Sequence, residues 1–328
     1  METKLTLGVD VGSISTKGVL LSHEGAVVGR GYLWTEGDPI GAVRRLIRTL
    51  KEQAGPHAAI DTVGTTGSAR KLVGAMLEAS AVKNEITAHA VGTLSRYPDV
   101  RTILEIGGQD AKIILLEHGV VVDYAMNTLC AAGTGAFLSS QARRLGISVE
   151  EMGEWALRAK NPAKIAARCT VFAESDLVHK AQIGVSKEDL VAGLCTAVVA
   201  NYLNNVGKGK QICTPVVFQG GVSKNQGVVA AFERELGAPV FVAEDGHLMG
   251  AIGAALLAQR TGAHHALPED IAEIPFKTEL HTCQQCANHC EIVCFYRKTQ
   301  LIDHWGNRCD RGMAMSAGGN SPSGMENI

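Results

Sequence analysis

The sequence LTLGVDVGSISTKGVLL, at residues 5–21, contains two apolar runs that are separated by a glycine turn at Gly12. Short apolar runs bounded by Gly and Ser are typical of buried β-strands joined by a tight connection. A second stretch with the same arrangement, TILEIGGQDAKIILLE, occupies residues 102–117, and its turn contains Gly107. The repetition predicts that the chain is built from two copies of one strand-turn-strand unit.

Each copy continues in the same order, with a third strand and then helices that alternate with strands. The first copy is expected at residues 1–98, and the second, with a helical insertion, at residues 99–246. An Ala-rich helix at 247–261 is expected to complete the first domain. The predicted fold class is therefore α/β, with two domains whose mixed sheets are flanked by helices, followed by a Cys-rich extension over residues 262–328.

The composition is that of a soluble globular protein. The chain has 328 residues, 46% of them hydrophobic and 20% charged, and its formal net charge is -2. This balance leaves no broad basic surface for a nucleic acid, and no apolar stretch approaches the roughly 20 residues that a membrane-spanning helix needs. We therefore expect a cytoplasmic protein without a nucleic-acid or membrane partner.

The two glycine turns are suited to holding the phosphates of a nucleotide. Glycine has no side chain, so backbone N–H groups can approach phosphate oxygens closely. Asp10 precedes the first turn and is a candidate for the shell of Mg²⁺. The candidate phosphate ligands are Gly12, Ser13, Ser15, Thr16 and Lys17 in the first turn, and Gly107, Gly108 and Gln109 in the second. One such turn alone is more often a simple hairpin, but two at matching positions favour a nucleotide site.

A third glycine element follows an apolar strand and opens a helix, where a purine and its ribose can lie on flat backbone. Its candidate residues are Gly220, Gly221, Val222 and Asn225, and Gly133, Thr134 and Gly135 are added to the nucleotide-binding set. The alternative for the third element is a simple strand-to-helix turn. No G-x-x-x-x-G-K-[ST] run occurs, so the Walker type of nucleotide site is not indicated.

These three elements resemble the phosphate-one, phosphate-two and adenosine motifs of the acetate-kinase, sugar-kinase, heat-shock-chaperone and actin superfamily. The resemblance covers about residues 4–260. It implies two ribonuclease-H-like domains of the actin-like ATPase type, with ATP or ADP and Mg²⁺ held in the cleft between them.

Two cysteines carry a second signal. Cys130 stands directly before a predicted helix, and Cys169 lies in the segment CTVFAES. A helix N-terminus favours negative charge, and an iron–sulfur cluster held by thiolates is anionic. Four thiolates complete an ordinary cluster, so one pair from each of two identical subunits would be sufficient. The alternative is that both are buried core cysteines, which is the commonest fate of a free cysteine.

The segments NTLCAAGTG, CTVFAES, IGGQD and NEITAHA, at residues 127–135, 169–175, 106–110 and 84–90, resemble the activator ATPases of 2-hydroxyacyl-CoA dehydratases and the related ATPase subunits of benzoyl-CoA reductase, the BadF/BadG/BcrA/BcrD type. This resemblance implies an oxygen-sensitive homodimer in which Cys130 and Cys169 of both subunits hold one 4Fe-4S cluster. It also implies that ATP hydrolysis drives a low-potential electron from a donor such as ferredoxin or flavodoxin to an iron-sulfur dehydratase or reductase.

The candidate catalytic residues are Asp10, Gln109 and Asp110. A kinase needs a carboxylate base to deprotonate its acceptor, whereas a glutamine orients water or senses the terminal phosphate. Gln109 therefore favours hydrolysis over phosphoryl transfer. Lys17 and Lys112 would neutralise phosphate charge, or each is a solvated strand residue.

Five further cysteines crowd into the extension. They are Cys283, Cys286, Cys290, Cys294 and Cys309. Their spacing matches neither a ferredoxin nor a two-pair zinc ribbon. We predict a second metal site, either zinc or another iron–sulfur cluster, with disordered thiols as the alternative and a disordered end from Ser316. The segment 306–312 resembles part of larger fused activators.

The sequence leaves three functions open. An electron-transfer ATPase should contain iron, whereas a small-molecule kinase of the same superfamily should not. A chaperone-like or actin-like module would need a peptide-binding domain or filament contacts that the sequence does not indicate.

Glu85 and His89 share one helix face, where a lone histidine is more often a structural hydrogen-bonding residue than a ligand. Cys195 and Cys213 are predicted to be core residues.

Overall fold

The computed structural model describes residues 3–127, 129–268 and 271–309. It contains two five-stranded sheets and one three-stranded sheet. Helices flank both larger sheets, so the α/β class with mixed sheets is confirmed.

The first sheet is built from the first glycine unit. Its strands are β1 (Thr3–Val11), β2 (Ser15–Leu21), β3 (Val27–Trp34), β4 (Ala58–Thr66) and β5 (Ala81–Val82), in the spatial order β3-β2-β1-β4-β5. The helices that follow are α1 (Pro39–Ala54), α2 (Arg70–Met76) and α3 (Glu85–Leu94). β2 is antiparallel to β1 and β3, whereas β4 is parallel to β1 and β5.

The second sheet repeats this plan. Its strands are β6 (Thr102–Ile106), β7 (Ala111–Glu117), β8 (Val120–Asn127), β9 (Val216–Gln219) and β10 (Val240–Val242), in the order β10-β9-β6-β7-β8. Its helices are α4 (Gly135–Leu145), α5 (Met152–Leu157), α6 (Thr170–Gln182), α7 (Lys187–Asn205) and α8 (Gln226–Leu236). The last helix, α9 (Met249–Gln259), packs against β1 and β4 of the first sheet. Read from β8 to β10, the strands pair with the same orientations as β3 to β5, so the predicted duplication is confirmed.

Apolar packing arranges these elements in layers. One cluster joins α1 and α2 to the outer face of the first sheet, and another joins the α4, α5, α7 and α8 helices to the second. A third cluster places α3 and α9 between the two sheets. The approach is so close there that a Cβ atom at Gly253 would lie 1.8 Å from the backbone oxygen of Ala88. Only glycine fits this contact without a shift of backbone.

Local sequence explains where α1 begins. The α1 helix begins where the side chain of Asp38 accepts a hydrogen bond from the backbone N–H of Gly41, and Pro39 occupies its first turn. Both features are typical of a helix N-terminus. The apolar residues that recur at helical spacing in this segment, Val43, Leu46, Ile47 and Leu50, are all fully buried.

Two helices of the insertion differ from expectation. The sequence predicts a helix over 149–160, but α5 has six residues. The segment after it turns away because the backbone N–H groups of Lys160 and Asn161 donate to the carboxylate of Asp189. The α6 helix is not predicted, since it buries little more than Ala173 and Leu177 and so lacks a continuous apolar stripe.

The extension folds as a sheet that the sequence does not predict. Its strands are β11 (Phe276–Thr282), β12 (Glu291–Arg297) and β13 (Gln300–Trp305). Leu267, Ile271 and Phe295 enter the apolar cluster of the first sheet, and the N–H of Leu267 donates to the oxygen of Ile60. The extension is therefore packed on the first half of the molecule. The expected disordered end from Ser316 lies outside the described residues.

Among the described residues, the model contains no helix of the length and hydrophobicity that crossing a membrane requires.

The close contact of α9 with α3 predicts the effect of adding one methyl group. Alanine normally stabilises a helix relative to glycine, but at position 253 its Cβ would clash with backbone. We expect Gly253→Ala to lower the free energy of unfolding by about 2 kcal/mol or more, measured by denaturant titration. Gly221→Ala is the control, because no atom lies within 4 Å of a Cβ there. Equal stability of the two variants would contradict this packing.

Candidate functional site

The two glycine turns face each other across the cleft. The hydroxyl of Ser13 donates to Oε1 of Gln109 at 2.8 Å. A Cβ atom at Gly108 would lie 3.1 Å from the side chain of Ile14. The turns that the sequence places about a hundred residues apart are therefore neighbours.

Each turn has the same backbone geometry. The N–H of Gly12 donates to the oxygen of Ser15, and the N–H of Gly107 donates to the oxygen of Asp110, both at 3.0 Å. By this geometry both are hairpin turns, which is the alternative that the sequence left open for each turn. Their convergence is what distinguishes them from ordinary hairpins.

Two further segments reach the second turn. The N–H groups of Gly135 and Ala136, at the start of α4, donate to the oxygens of Gly107 and Gly108 at 2.9 and 2.8 Å. Gly220 has a φ of +87°, and a Cβ there would lie 2.3 Å from the backbone oxygen of Ile106. Glycine is required at this position both by its φ and by the contact.

Some candidate side chains are engaged within the protein. Thr16 is hydrogen-bonded to Thr35, the hydroxyl of Thr134 donates to the oxygen of Ala131, and Oδ1 of Asn225 caps α8. Ser15 and Val222 are buried. Among the described residues, Nδ2 of Asn225 is one of a few buried side-chain donors without a hydrogen-bond partner. The amide of Asn225 faces α5 and α7, since its Oδ1 lies 3.8 Å from Sγ of Cys195 and would lie 3.4 Å from a Cβ at Gly153.

Asp10 and Lys17 form a partly buried ion pair beside the first turn. Nζ of Lys17 lies 3.1 Å from Oδ2 of Asp10. Burial works against the charged form of both groups, but their attraction outweighs it, so the pKa of Asp10 is lowered and that of Lys17 is raised. Asp10 is thus a carboxylate at neutral pH, as a ligand of a magnesium shell must be.

Lys112 is surrounded by three carboxylates. Its Nζ lies 3.0 Å from Glu85, 3.0 Å from Glu105 and 2.6 Å from Asp110. The side chain is 2% exposed, so the alternative of a solvated strand residue is wrong for Lys112. Burial alone would lower the pKa of Lys112, but the three carboxylates outweigh this effect, so its pKa is raised. Burial raises the pKa of Glu105, and Lys112 opposes that rise.

The charges around the turns suit a divalent cation. Four carboxylates, those of Asp10, Glu85, Glu105 and Asp110, stand against the two ammonium groups of Lys17 and Lys112. In the part of the chain that the structure describes, no three His, Cys, Asp or Glu side chains form a ready coordination shell. Mg²⁺ commonly takes one or two carboxylates and fills its shell with water and phosphate, so this donor set fits it.

His89 belongs to a buried hydrogen-bond chain behind Asp10. Oε1 of Gln219 accepts from the hydroxyl of Thr93 at 2.7 Å, so Nε2 of Gln219 donates to Nδ1 of His89, also at 2.7 Å. Burial, together with Lys112, lowers the pKa of His89 to about 4. The prediction of a structural hydrogen-bonding histidine is confirmed.

Sequence reasoning did not assign Glu85, Glu105 or Gln219 to the site. Glu105 stands two residues before Gly107, as Asp10 stands two residues before Gly12, and this equivalence was the available signal. Nothing in the local sequence of Gln219 indicated that its strand β9 ends beside α3, since that contact depends on the packing of the two halves.

The two cysteines occupy the positions expected of them. Cys130 precedes a 3₁₀ turn at Ala131–Gly133, and Cys169 is the N-cap of α6, with no side-chain capping hydrogen bond at either position. Both are partly exposed, so the alternative of fully buried core cysteines is wrong for this pair. Cys195 is buried, as predicted, whereas Cys213 is partly exposed.

Asn201 of α7 lies between the two cysteine segments. Its Nδ2 donates to the backbone oxygen of Ala167 and lies 3.5 Å from that of Arg168. On the other side, a Cβ at Gly133 would lie 2.7 Å from Oδ1 of Asn201. The segments that carry Cys130 and Cys169 therefore meet at one side chain.

Exposed apolar side chains flank both cysteines. Leu129, beside Cys130, is 98% exposed. Val171 and Phe172, in the turn after Cys169, are 66% and 67% exposed. Large apolar side chains this exposed on both sides of a site are typical of a surface that another protein covers.

The five cysteines of the extension are not assembled as a ligand set. Cys283, Cys290 and Cys294 lie in a small apolar cluster, Cys286 is partly exposed, and Cys309 is exposed. Among residues 271–309, as in the other described ranges, no three potential ligands are placed to hold a metal ion. The second metal site stays a prediction of the sequence.

Comparison with known proteins identifies a family. The model of the BadF/BadG/BcrA/BcrD ATPase family matches residues 7–258. The chain is 35% identical to the 2-hydroxyisocaproyl-CoA dehydratase activator of Clostridioides difficile over 77% of its own length and 94% of that protein. It is 34% identical to the (R)-2-hydroxyglutaryl-CoA dehydratase activating ATPase of Acidaminococcus fermentans, over 79% of this chain and 98% of that one. One of the subunits of benzoyl-CoA reductase from Thauera aromatica is 30% identical over 77% of this chain and 92% of its own length.

Solved structures of the first two proteins have the same fold. The Clostridium difficile activator, with bound ADPNP, superposes with a TM-score of 0.71 and covers 78% of this chain and 94% of its own. Component A of the Acidaminococcus fermentans dehydratase gives 0.73, covering 79% of this chain and 98% of its own. The family match ends at residue 258, so it does not include the extension.

The carboxylates around Lys112 predict a large loss of stability when its charge is removed. Lys112→Met would leave three carboxylates facing one another, and losing one partner of a buried ion pair costs about 3–5 kcal/mol. We expect this loss in the free energy of unfolding, and expect Lys112→Met/Glu105→Gln to recover part of it. The control is Lys210→Met, which breaks an exposed pair with Asp123. A loss no larger than that of the control would contradict the buried cluster.

His89 predicts a dependence of stability on pH. In the unfolded chain a histidine takes up its proton near pH 6.5, but in the folded protein the pKa of His89 is about 4. Because the unfolded state binds more protons between these values, stability is present above pH 6.5 and falls as the pH falls, by roughly 3 kcal/mol. His89→Asn, which keeps an acceptor for Gln219, should flatten this slope in metal-free buffer. Parallel curves for the two proteins would exclude His89 as the cause.

Proposed function

Because the chain belongs to the BadF/BadG/BcrA/BcrD ATPase family, we propose that it is an ATP-dependent reductive activator of a 2-hydroxyacyl-CoA dehydratase or a related acyl-CoA reductase. In this proposal, two copies of the chain hold one 4Fe-4S cluster between them. ATP hydrolysis then drives single electrons, received from a ferredoxin or flavodoxin, to the partner enzyme.

The observation that carries this proposal is the pair of partly exposed thiols at Cys130 and Cys169. Each stands at the start of a helical turn, where N–H groups lack intrahelical partners and favour an anionic group. Neither thiol is engaged in a capping hydrogen bond. The donor set therefore fits half of a four-thiolate cluster, which when bound would supply a one-electron carrier.

Two features support a symmetric dimer around these cysteines. Two thiols from one chain leave two cluster positions unfilled, and a two-fold axis supplies the same pair again. The exposed side chains of Leu129, Val171 and Phe172 would be covered by the second copy. Along α6 a depression of ≈ 420 Å³ lies beside Val171 and away from the glycine turns, so it belongs to this surface and not to the nucleotide cleft.

ATP and Mg²⁺ are assigned to the cleft between the glycine turns. Gly107, Gly108 and Gly220 bring backbone close to where phosphates and adenosine would lie, and Lys17 would supply positive charge. Asp10 and Asp110 would hold the cation through water. Gln109 would release Ser13 and orient the attacking water towards the terminal phosphate.

The second turn is joined directly to the segment of Cys130. Gly107 and Gly108 accept hydrogen bonds from Gly135 and Ala136, and the 3₁₀ turn that follows Cys130 ends two residues before Gly135. A change of the turn on binding or hydrolysis of ATP would therefore move the backbone that carries Cys130. Such a movement alters the exposure and hydrogen bonding of a cluster, both of which set its reduction potential.

Gln109 also bears on the kinase alternative. A kinase of this fold needs a base near the acceptor hydroxyl, and the side-chain amide of Gln109 cannot act as a base. No contact in the described structure favours phosphoryl transfer over hydrolysis. The choice between a dehydratase activator and a reductase subunit concerns the partner, because relatives of both kinds match the same part of the chain.

Iron analysis of anaerobically purified protein tests the proposal. We expect Cys130→Ser to remove a cluster signal from the visible and EPR spectra and to lower the iron content by about two per chain, since one four-iron cluster is shared by two chains. It should also shift the protein from dimer towards monomer in size-exclusion chromatography with light scattering.

Cys195→Ser is the matched control, because Cys195 is buried on α7 and lies outside the cysteine pair. It should retain both the iron and the dimer. If the wild-type protein, reconstituted with iron and sulfide, holds no iron that depends on Cys130, the electron-transfer function is excluded and only the ATPase activity of the family remains.

A further inference from the structure

The α7 helix touches both the phosphate side of the cleft and the two cysteine segments, through adjacent residues. The hydroxyl of Tyr202 donates to the backbone oxygen of Lys112 at 2.6 Å. Its neighbour Asn201 contacts Ala167 and Gly133. Both side chains are buried, at 1% and 2% exposure.

We propose that Asn201 and Tyr202 form a relay that couples the nucleotide turn to the position of Cys169. Both are positioning residues, since neither touches the reacting atoms. Cys130 already has a direct connection to the turn through Gly135, whereas Cys169 is separated from it by the length of the insertion. The relay supplies the missing connection.

The cleft end of the relay lies in the charged cluster. Lys112 holds Glu85, Glu105 and Asp110 with its side chain while its backbone oxygen accepts from Tyr202. A phosphate or cation that draws Asp110 away would redistribute these contacts and shift β7 at Lys112. Tyr202 is fixed to that strand by a buried hydrogen bond, so the C-terminal turn of α7 would follow the shift.

The cysteine end of the relay is equally constrained. Nδ2 of Asn201 donates to the segment that leads into Cys169, and Asn205 donates to Oδ1 of Asn201 at 2.9 Å, which fixes the orientation of the amide. The N–H of Ala166 is in turn bound by Asp176 of α6 at 2.8 Å. Residues 166–169 and α6 are thereby fastened together, so a shift of Asn201 would be passed to both.

Gly133 completes the arrangement. A side chain at this position would meet Oδ1 and Cγ of Asn201, at 2.7 and 3.5 Å. The side-chain amide of Asn201, which packs against Gly133, therefore fixes the segments of Cys130 and Cys169 relative to each other. The relay rests on the proposed function in one respect, since it takes the turn at Gly107 as the nucleotide site.

Hydrogen exchange on the full chain, without iron, tests the relay independently of any cluster. AMP-PNP with Mg²⁺ should change exchange at residues 129–136 and at residues 166–170 of the wild-type protein. In Asn201→Ala the change at 129–136 should persist, whereas the change at 166–170 should be lost. Exchange at 166–170 should also become about fivefold faster without nucleotide, as expected for the loss of one hydrogen bond.

Tyr202→Phe removes only the hydroxyl and leaves the packing of α7 intact. It therefore tests the relay even when Asn201→Ala does not fold stably. It should weaken the nucleotide response at 166–170 without faster exchange in the absence of nucleotide. Thr196→Val, on the same helix and outside the relay, should behave as wild type. A response at 166–170 that is unchanged in Asn201→Ala and Tyr202→Phe, or absent from the wild type, would overturn the relay.

Calorimetry with AMP-PNP separates the relay from the proposed function. Binding without a response at 166–170 would overturn the relay alone, because the nucleotide site would stand. Failure of the wild-type protein to bind AMP-PNP would count against the proposed function and the relay together. A double variant adds a geometric check: Gly133→Ala should disturb 166–170 in the wild-type background and have no further effect in Asn201→Ala, since the atoms it would meet are then absent.

Discussion

The ion pairs of the buried Lys112 ammonium are the interaction on which the cleft between the two glycine turns depends. The ammonium binds Glu85 of α3, Glu105 of β6 and Asp110 of the second glycine turn, so one side chain joins three elements. A charge with 2% exposure is tolerable only because it is fully paired. The same pairing keeps three carboxylates beside the second glycine turn, of which Glu105 is buried and Asp110 is partly exposed. The cleft can therefore offer acidic groups to a cation without repelling the rest of its own wall.

The two halves are joined by contacts of very different strength. The α3 and α9 helices share a close-packed apolar core between the sheets, which glycines such as Gly253 allow to form. At the mouth of the cleft the contacts are polar and exposed, namely the Ser13–Gln109 hydrogen bond and the pair of Arg30 with Asp245. Exposed polar contacts contribute little net stability and exchange readily with water or phosphate. The contacts between the halves are therefore firm in the apolar core and easily exchanged at the mouth of the cleft.

The features that the sequence predicts are those that depend on local pattern. The glycine turns, the apolar face of α1 and the two cysteines before helix starts follow from period and turn chemistry in neighbouring residues. The roles of Lys112 and Gln219 do not, because burial of a strand lysine and the contact of β9 with α3 arise only when distant segments pack. The sheet of the extension could not be predicted for a related reason. Most residues of β11 are exposed, and only Phe295 and a few others enter the core of the first sheet.

Duplication followed by insertion explains how one fold can combine the cleft and the cysteines. In the first half a single helix, α1, connects β3 to β4, whereas four helices, α4 to α7, connect the equivalent strands β8 and β9. Both cysteines lie in this longer connection, and the phosphate turns lie in the parts that the halves share. The connection touches the cleft at two places: the first N–H group of α4, that of Gly135, donates to Gly107, and Tyr202 donates to Lys112. In the proposed function, a rearrangement of the second glycine turn would reach the cysteines through the start of α4 and, by way of β7, through α7.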